Sequence, residues 1–291
     1  MEQVRARDGA TIVLHSTGVG PGIVVVHGGG TTTDVYRRLA RALADRFTVH
    51  LYNRRGRADA PARPMPYTAD QEVDDLAAVL EHTGAGNVIG HSSGGFLALE
   101  AALRLPIDRL ALYDAAISID GSFPSAWLPS ARAAAAAGDI PRALAITSAG
   151  INPHMAAGKL PLGVRIAIIR AFLRTSIGRT MGELLPTTLD ETALILAHDG
   201  PATRWAGVSA EVLLACGADG PTYYVDQNAA LARAPAARPD TDGSAQRPRR
   251  HQPRAPEDRR PARRVLRSAG DSGAGASLTS GARSRTVIDL G

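Results

Sequence analysis

The stretch NVIGHSSGGFLALE, from Asn87 to Glu100, carries the pattern that decides the fold. A short apolar run ends in GHSSG, residues 90 to 94, and passes directly into a helical pattern, which predicts a strand, a sharp turn and a helix. The glycines two residues before and after Ser92 leave room for the strand and the helix to pass closely around a strained backbone. Ser92 is therefore the candidate nucleophile, and an ordinary glycine-rich turn is the alternative that the rest of the chain must decide.

Two backbone N–H groups are candidates for an oxyanion hole. Ser93 begins the predicted helix, so its N–H points at whatever the serine attacks, with the positive end of the helix dipole behind it. A second apolar strand ends in HGGG, residues 27 to 30, where glycines let backbone N–H groups face a ligand. Gly29, alone or together with Gly28, is predicted to supply the other donor. His27 is interpreted as a residue that orients this loop and not as a base.

Strand and helix patterns alternate along the first part of the chain, and this alternation predicts a mostly parallel sheet with the ligand site at the carboxyl ends of its strands. The polar loop from Asn53 to Asp59 follows one strand, and its arginines are predicted to fix the loop. The predicted strands are Thr11 to Leu14, Ile23 to Val26, Phe47 to Tyr52, Arg109 to Tyr113 and Glu211 to Cys216, and the predicted helices besides the one after Ser92 are Asp34 to Ala44, Thr68 to His82 and Tyr223 to Arg233.

The stretch from Ile117 to about Trp205 has helical segments broken by prolines and no convincing strand. Such an excursion between two strands predicts a helical cap over the site. Its most apolar part, Gly163 to Leu173, contains interleaved arginines, which favour an amphipathic helix over a membrane anchor. We therefore divide the chain into a first part of the core at 1–116, a cap at 117–206, a second part of the core at 207–233 and an Arg- and Pro-rich tail at 234–291.

Two aspartates are candidates for the acid that would orient a catalytic histidine. Asp219 follows the predicted strand that ends at Cys216, and a carboxylate at the end of a strand, after the nucleophile in sequence, is placed to stabilise an imidazolium. Asp114 also ends a strand and is the alternative acid. Asp219 is preferred, and a turn-capping aspartate is the structural explanation that competes with it.

Several motifs together resemble the α/β-hydrolase superfamily: VVVHGGG, LYNRRGRADA, VIGHSSGG, LALYDAA and VLLACGADGP, in this order. The resemblance covers about residues 10 to 233. It implies an eight-stranded, mostly parallel sheet flanked by helices, with a helical cap, a Ser92 nucleophile, an oxyanion hole at Gly29 and Ser93, and an acid at Asp219. It implies no cofactor and no metal. It also implies a histidine in a loop after the last strand.

The tail departs from the family at the position of that histidine. Residues from Ala234 onward are rich in Arg and Pro, resemble neither a last strand nor a last helix, and have the composition of a disordered segment. His251 is the only histidine after Asp219, and it is a weak candidate because no apolar strand flanks it. A shift of the reading frame near Ala234 would explain the loss, since the next frame permits a loop containing a histidine followed by an amphipathic helix. Resequencing the gene tests this hypothesis.

The charge of the chain also belongs to the tail. Residues 234–291 contain twelve Arg against six Asp and Glu, whereas the preceding part has 21 basic and 22 acidic residues, for a net charge of +5 over 291 residues. Nucleic-acid binding is not expected, because the tail lacks interleaved aromatic residues and a recognisable module.

The location and the cysteine usage are expected to be those of a cytoplasmic protein. No signal-peptide pattern is present, and no apolar run reaches the roughly 20 residues of a membrane span. The single cysteine, Cys216, lies in an apolar run, so a disulfide and a cysteine-based metal site are both unsupported and a buried packing role is expected.

The residues together predict a serine hydrolase of an ester or related small acyl substrate, with turnover impaired if the histidine is lost. The alternative is a catalytically inactive ligand-binding protein that keeps the pocket. Carbon–carbon bond hydrolysis and cofactor-free perhydrolysis use the same residues, and the cap sequence does not choose between them. The identity of the small-molecule substrate and the oligomeric state remain open at this level.

Overall fold

A computed structural model of the chain describes residues 1–153, 156–218, 220–234 and 285–290. Within these ranges, eight strands form one sheet in the order β1-β2-β4-β3-β5-β6-β7-β8. The pairs β1/β2 and β2/β4 are antiparallel, and all the other pairs are parallel. The strands are β1 (Glu2–Arg5), β2 (Thr11–Thr17), β3 (Gly22–Val26), β4 (Thr48–Tyr52), β5 (Asn87–His91), β6 (Arg109–Tyr113), β7 (Glu211–Gly217) and β8 (Arg285–Leu290).

Helices cover both faces of the central strands. The described ranges contain α1 (Arg37–Leu43), α2 (Ala69–Thr83), α3 (Ser93–Ala102), α4 (Leu128–Ala136), α5 (Ile140–Ile151), α6 (Leu162–Phe172), α7 (Ser176–Glu183), α8 (Leu185–Ala197) and α9 (Thr222–Arg233). Val24 and Val26 of β3 lie in the core shared with α2 and α3, whereas Val25 packs in a separate cluster with Ala40 of α1. This two-sided burial is the reason that β3 is apolar at every position after its first glycine.

Helices α4 to α8 form an insertion between β6 and β7. They have an apolar cluster of their own, in which Trp127, Leu144 and Leu185 are buried. Within the insertion, α6 contains no fully buried residue. None of the helices in the part of the chain that the structure describes combines the length and the apolar character that a membrane span requires.

The structure confirms the predicted alternation of strands and helices and differs from it at both ends of the sheet. Strand β1 was not predicted, because only Val4 of its four residues is buried and so the strand has no apolar alternation to detect. At the other end, no strand was expected after Ala234, yet Arg285–Leu290 pairs in parallel with β7. The sequence TVIDL within it is rich in β-branched residues, which suit a pleated surface. The rest of the predicted tail lies outside the described residues.

Candidate active site

Ser92 sits at a sharp turn between β5 and α3, as predicted. Its φ of 52° and ψ of −126° fall outside the regions that L residues prefer. Hydrogen bonds hold this backbone on both sides: the Ser92 N–H donates to the Tyr113 carbonyl, 3.2 Å away, and the Ser92 carbonyl accepts from the N–H groups of Gly95 and Ala116 at 2.8 and 3.0 Å. The strained serine is therefore fixed by the strand beside it and by the helix that it precedes.

The glycine after the turn is needed because helix and strand pass closely there. A Cβ added at Gly94 would lie 2.2 Å from the Val26 carbonyl oxygen, which no real side chain tolerates. The glycine spacing around Ser92 therefore has the physical basis that the sequence suggested.

The HGGG loop lies against Ser92 and is held by side chains. A Cβ at Gly28 would come within 3.0 Å of the Ser92 Cβ. The Gly28 N–H donates to the Tyr36 hydroxyl at 3.0 Å, and that hydroxyl shares a hydrogen bond with Nδ1 of His91 at 2.6 Å. Because the Gly28 N–H is used within the protein, Gly29 is the better placed of the two glycines to offer its N–H to a ligand.

His27 orients the loop and is not placed to act as a base. Its Nδ1 donates to the Gly28 carbonyl at 2.9 Å, and its Nε2 accepts from the backbone N–H of Arg54 at 3.1 Å. Burial, followed by the positive charges of Arg57 and Arg54, lowers the pKa of His27 well below its ordinary value. Both ring nitrogens of the neutral imidazole are thus engaged with the backbone.

Ser92, Ser93 and Gly29 line one cavity of about 280 Å³ beneath the helical insertion. The insertion supplies much of the wall, since residues of α5 and α8 face the serine across the cavity. The apolar part of the lining consists of Ala116, Phe123, Leu144, Ile151, Met181, Leu185 and Ile195. The other lining residues are glycines and polar residues, so apolar and polar side chains share the wall.

A group of buried charges, which we call the ion cluster, lies next to this cavity and consists of Arg54, Arg57, Glu72 and Glu191. Arg54 donates to both carboxylate oxygens of Glu72, at 3.1 and 2.9 Å, and lies 3.2 Å from a carboxylate oxygen of Glu191. Arg57 also pairs with Glu191. The side chains of all four are almost fully buried, between 0 and 3% exposed.

Glu191 connects the insertion to the turn that holds Ser92. Its Oε2 accepts from the Ser93 hydroxyl at 2.6 Å, and Ser93 in turn accepts from Arg54 at 3.2 Å. Burial by itself raises the pKa of Glu191, but the charges of Arg54 and Arg57 outweigh it and lower the pKa to about 2. A carboxylate from α8 that is ionised near neutral pH therefore lies beside the first residue of α3.

Only one of the two candidate acids, Asp114, lies within the described residues. Asp114 follows β6 in a left-handed conformation with φ of 45°, and its Oδ1 accepts from the Gly217 N–H at 3.0 Å. It therefore lies beside the end of β7 but does not line the cavity. Asp219 and His251 lie outside the described residues. Among the histidines that the structure describes, none lines the cavity with Ser92.

Sequence reasoning assigned the arginines of the loop to a structural role, and the buried contacts of Arg54 and Arg57 confirm this prediction. It missed Tyr36 and Glu191. Glu191 had a weak signal, because it is a charged residue four positions before Ile195 in a helix that buries mainly aliphatic residues. Tyr36 had none, since nothing near it in the sequence points to Gly28 or His91. Over the described ranges, no three His, Cys, Asp or Glu side chains are grouped to hold a metal ion.

Comparison with known proteins agrees with this geometry. Residues 21–139 match the α/β-hydrolase fold family. The crystal structure of an α/β hydrolase from Sphaerobacter thermophilus superposes with a TM-score of 0.67 at 30% identity, over 81% of this chain and 90% of that one. The chain belongs to the α/β-hydrolase family.

Curated relatives resemble this α/β hydrolase over a shorter stretch. A pimeloyl-[acyl-carrier protein] methyl ester esterase from Chromobacterium violaceum is 38% identical over 95 residues, 33% of this chain and 36% of that protein. The lipase LipV of Mycobacterium tuberculosis is 33% identical over 119 residues, 38% of this chain and 45% of LipV. The chain thus matches less than half the length of these relatives.

Proposed function

We propose that this α/β hydrolase is a serine hydrolase of esters or related small acyl compounds, with Ser92 as the nucleophile. One observation carries the proposal: Ser92 has a strained backbone at the tip of a strand-turn-helix unit and lines a cavity together with Gly29 and Ser93. The esterase and lipase relatives support an ester as the substrate class. In this proposal the helical insertion acts as a cap that excludes water from the site.

The chemistry would proceed through an acyl-enzyme. A histidine takes the proton of the Ser92 hydroxyl as its oxygen attacks the carbonyl carbon, and water later releases the acyl group. The N–H groups of Gly29 and Ser93 would hold the oxyanion. Ser93 is the first residue of α3, so its N–H has no acceptor within the helix and lies at the positive end of the dipole. One such donor is worth roughly a hundredfold or more in rate.

The acid and the base of the triad stay proposals. Asp219 is the proposed acid, with Asp114 as the alternative because it is held at the adjoining strand end by the Gly217 N–H. His251 is a weak candidate for the base. We propose that the translated chain turns over slowly for want of a well-placed histidine, since an unassisted serine is a poor nucleophile near neutral pH.

Fluorophosphonate labelling tests the nucleophile directly. We expect slow labelling of the folded full-length chain, because no well-placed histidine activates the serine, and we expect it to disappear in Ser92→Ala. Ser148→Ala is the matched control, because this serine lines the same cavity but its hydroxyl donates to the Ala145 carbonyl. Labelling that survives in Ser92→Ala would contradict the assignment of the nucleophile.

A catalytically inactive ligand-binding protein is the second candidate. It is favoured by the arrangement of the histidines, since none of those in the described ranges lines the cavity. Ester turnover that is abolished by Ser92→Ala would exclude it. A folded wild type that binds esters, is not labelled and shows no turnover would support it over hydrolysis.

A further inference from the structure

Apart from Ser92 and Tyr224, the polar side chains that line the cavity fall into two groups according to their hydrogen bonds. Three hydroxyls of the lining donate to backbone carbonyls of their own helices: Ser148 to Ala145, Thr188 to Leu184 and Thr192 to Thr188. Ser93 and Glu191 satisfy each other. These groups are therefore occupied within the protein.

Thr147 and Asn152 form the other group, and we call them the polar pair. Thr147 lies in α5 and Asn152 is the residue that ends this helix. The Oγ1 of Thr147 and the Oδ1 of Asn152 are buried and have no hydrogen-bond partner among the described residues. Thr147 is only 3% exposed, and both residues line the cavity that contains Ser92.

Buried polar atoms without a partner are uncommon, because the free energy that the atom loses on leaving water is not recovered by a hydrogen bond within the protein. A hydroxyl that lies in a helix can usually donate to the carbonyl of the preceding turn, as Thr188 and Thr192 do here. Thr147 does not do so in this structure. The Thr147 hydroxyl and the Asn152 oxygen therefore have unused hydrogen-bonding capacity beside the cavity that both residues line. Both atoms are shielded from solvent in this structure, so a bound molecule meets them once the two side chains turn toward the cavity.

We propose that the polar pair is a recognition subsite for a hydroxyl group on the substrate that Ser92 attacks. A hydroxyl matches both members, since it accepts from the Thr147 Oγ–H and donates to Oδ1 of Asn152. The apolar residues of the cavity accommodate the hydrocarbon that joins this hydroxyl to the scissile carbonyl. The substrate class is thus a hydroxy ester with an aliphatic body. This inference names the substrate class of the proposed hydrolase site and therefore rests on the proposed function.

The test measures binding and not turnover, so that it does not depend on the histidine. The full-length Ser92→Ala protein is titrated with methyl hexanoate, methyl 3-hydroxyhexanoate and methyl 6-hydroxyhexanoate, with ligand-detected NMR as the readout. We expect at least one hydroxy ester to bind about tenfold more tightly than methyl hexanoate, because a site built to bond a hydroxyl rejects the analogue without it.

A second substitution in the Ser92→Ala protein tests whether the polar pair causes the preference for a hydroxy ester. Thr147→Val and Asn152→Leu, each in the Ser92→Ala background, are expected to reduce the tenfold ratio to about one. Thr192→Val is the matched control: it removes a hydroxyl from the same cavity, but one that bonds the backbone, so the ratio is retained. Equal binding of all three esters overturns the proposal, as does a preference that both Thr147→Val and Asn152→Leu leave unchanged. If labelling of Ser92 fails while the hydroxyl preference holds, the hydrolase function is rejected and the subsite stands.

Discussion

The ion cluster and the polar pair lie around the same cavity and differ in how far the protein satisfies them. Glu191 of the cluster contacts two guanidinium groups and the hydroxyl of Ser93, all from the core of the fold. Thr147 and Asn152 of the pair contact no such partner in the described part of the chain. The difference teaches that Glu191 ties the insertion to the core, whereas the polar pair makes no such tie and is the proposed recognition subsite.

Glu191→Gln is expected to have the largest effect on this comparison. Removal of the charge leaves Arg54 and Arg57 buried with one carboxylate fewer, and breaking a buried ion pair from one side costs about 3–5 kcal/mol. Denaturant unfolding measures the loss. Asp190→Asn is the control, because Asp190 is the adjacent residue, 30% exposed, and pairs with Arg63 and Arg132 at the surface, where about 1 kcal/mol or less is expected. Equal losses of unfolding free energy in the two variants would show that the ion cluster stabilises the fold no more than the ion pairs of Asp190 do.

The stabilisation by Glu191 is expected to depend on pH. The pKa of Glu191 falls from an ordinary value of 4.5 to about 2 on folding, so the unfolded chain binds more protons between these values. The stabilisation by Glu191 is thus fully present above about pH 5 and is lost as the pH falls toward 2. We expect the difference in unfolding free energy between wild type and Glu191→Gln to be constant above that pH and to shrink below it. A difference that stays constant down to pH 3 would contradict the role of the ionised carboxylate.

Ser93→Ala tests the contribution of the ion cluster at the start of α3. The hydroxyl donates to the charged Glu191 and accepts from Arg54, so its removal is expected to cost about 1.5–3 kcal/mol of stability. Ser148→Ala, which loses a 3.4 Å bond to a backbone carbonyl, is expected to cost less than about 1 kcal/mol. Thermal or urea unfolding of the two variants side by side checks this order, and a reversed order would refute it.

The smallest effects are expected in the polar pair itself. Thr147→Val removes a hydroxyl without a partner, so the free energy of unfolding should change by no more than about 0.5 kcal/mol. Thr192→Val removes a bond to the Thr188 carbonyl and should cost about 1 kcal/mol. Urea unfolding of both variants provides the measurement. A larger loss in Thr147→Val than in Thr192→Val would show that the Thr147 hydroxyl is bound within the protein.

The sequence predicted those features of the fold that depend on residues close together in the chain. The turn at Ser92 depends on a strand, a helix and small residues within a few positions, and the structure has the strained backbone and the close passage at Gly94 that this pattern predicted. Strand β3 was detectable because burial on both faces leaves a continuous apolar run. Strand β1 was not, because a strand at the edge of a sheet needs little apolar surface.

The sequence by itself determined the family, the catalytic turn and the loop that faces it, since each is a short pattern whose residues are neighbours in the chain. Only the tertiary structure decided which polar groups around the cavity are satisfied. Glu191 meets Ser93 across 98 positions, and Thr147 meets neither of them although it lines the same space. These contacts depend on how α5 and α8 pack over the sheet. Because they join residues that are far apart in the chain, no pattern of residue spacing in the sequence predicts them.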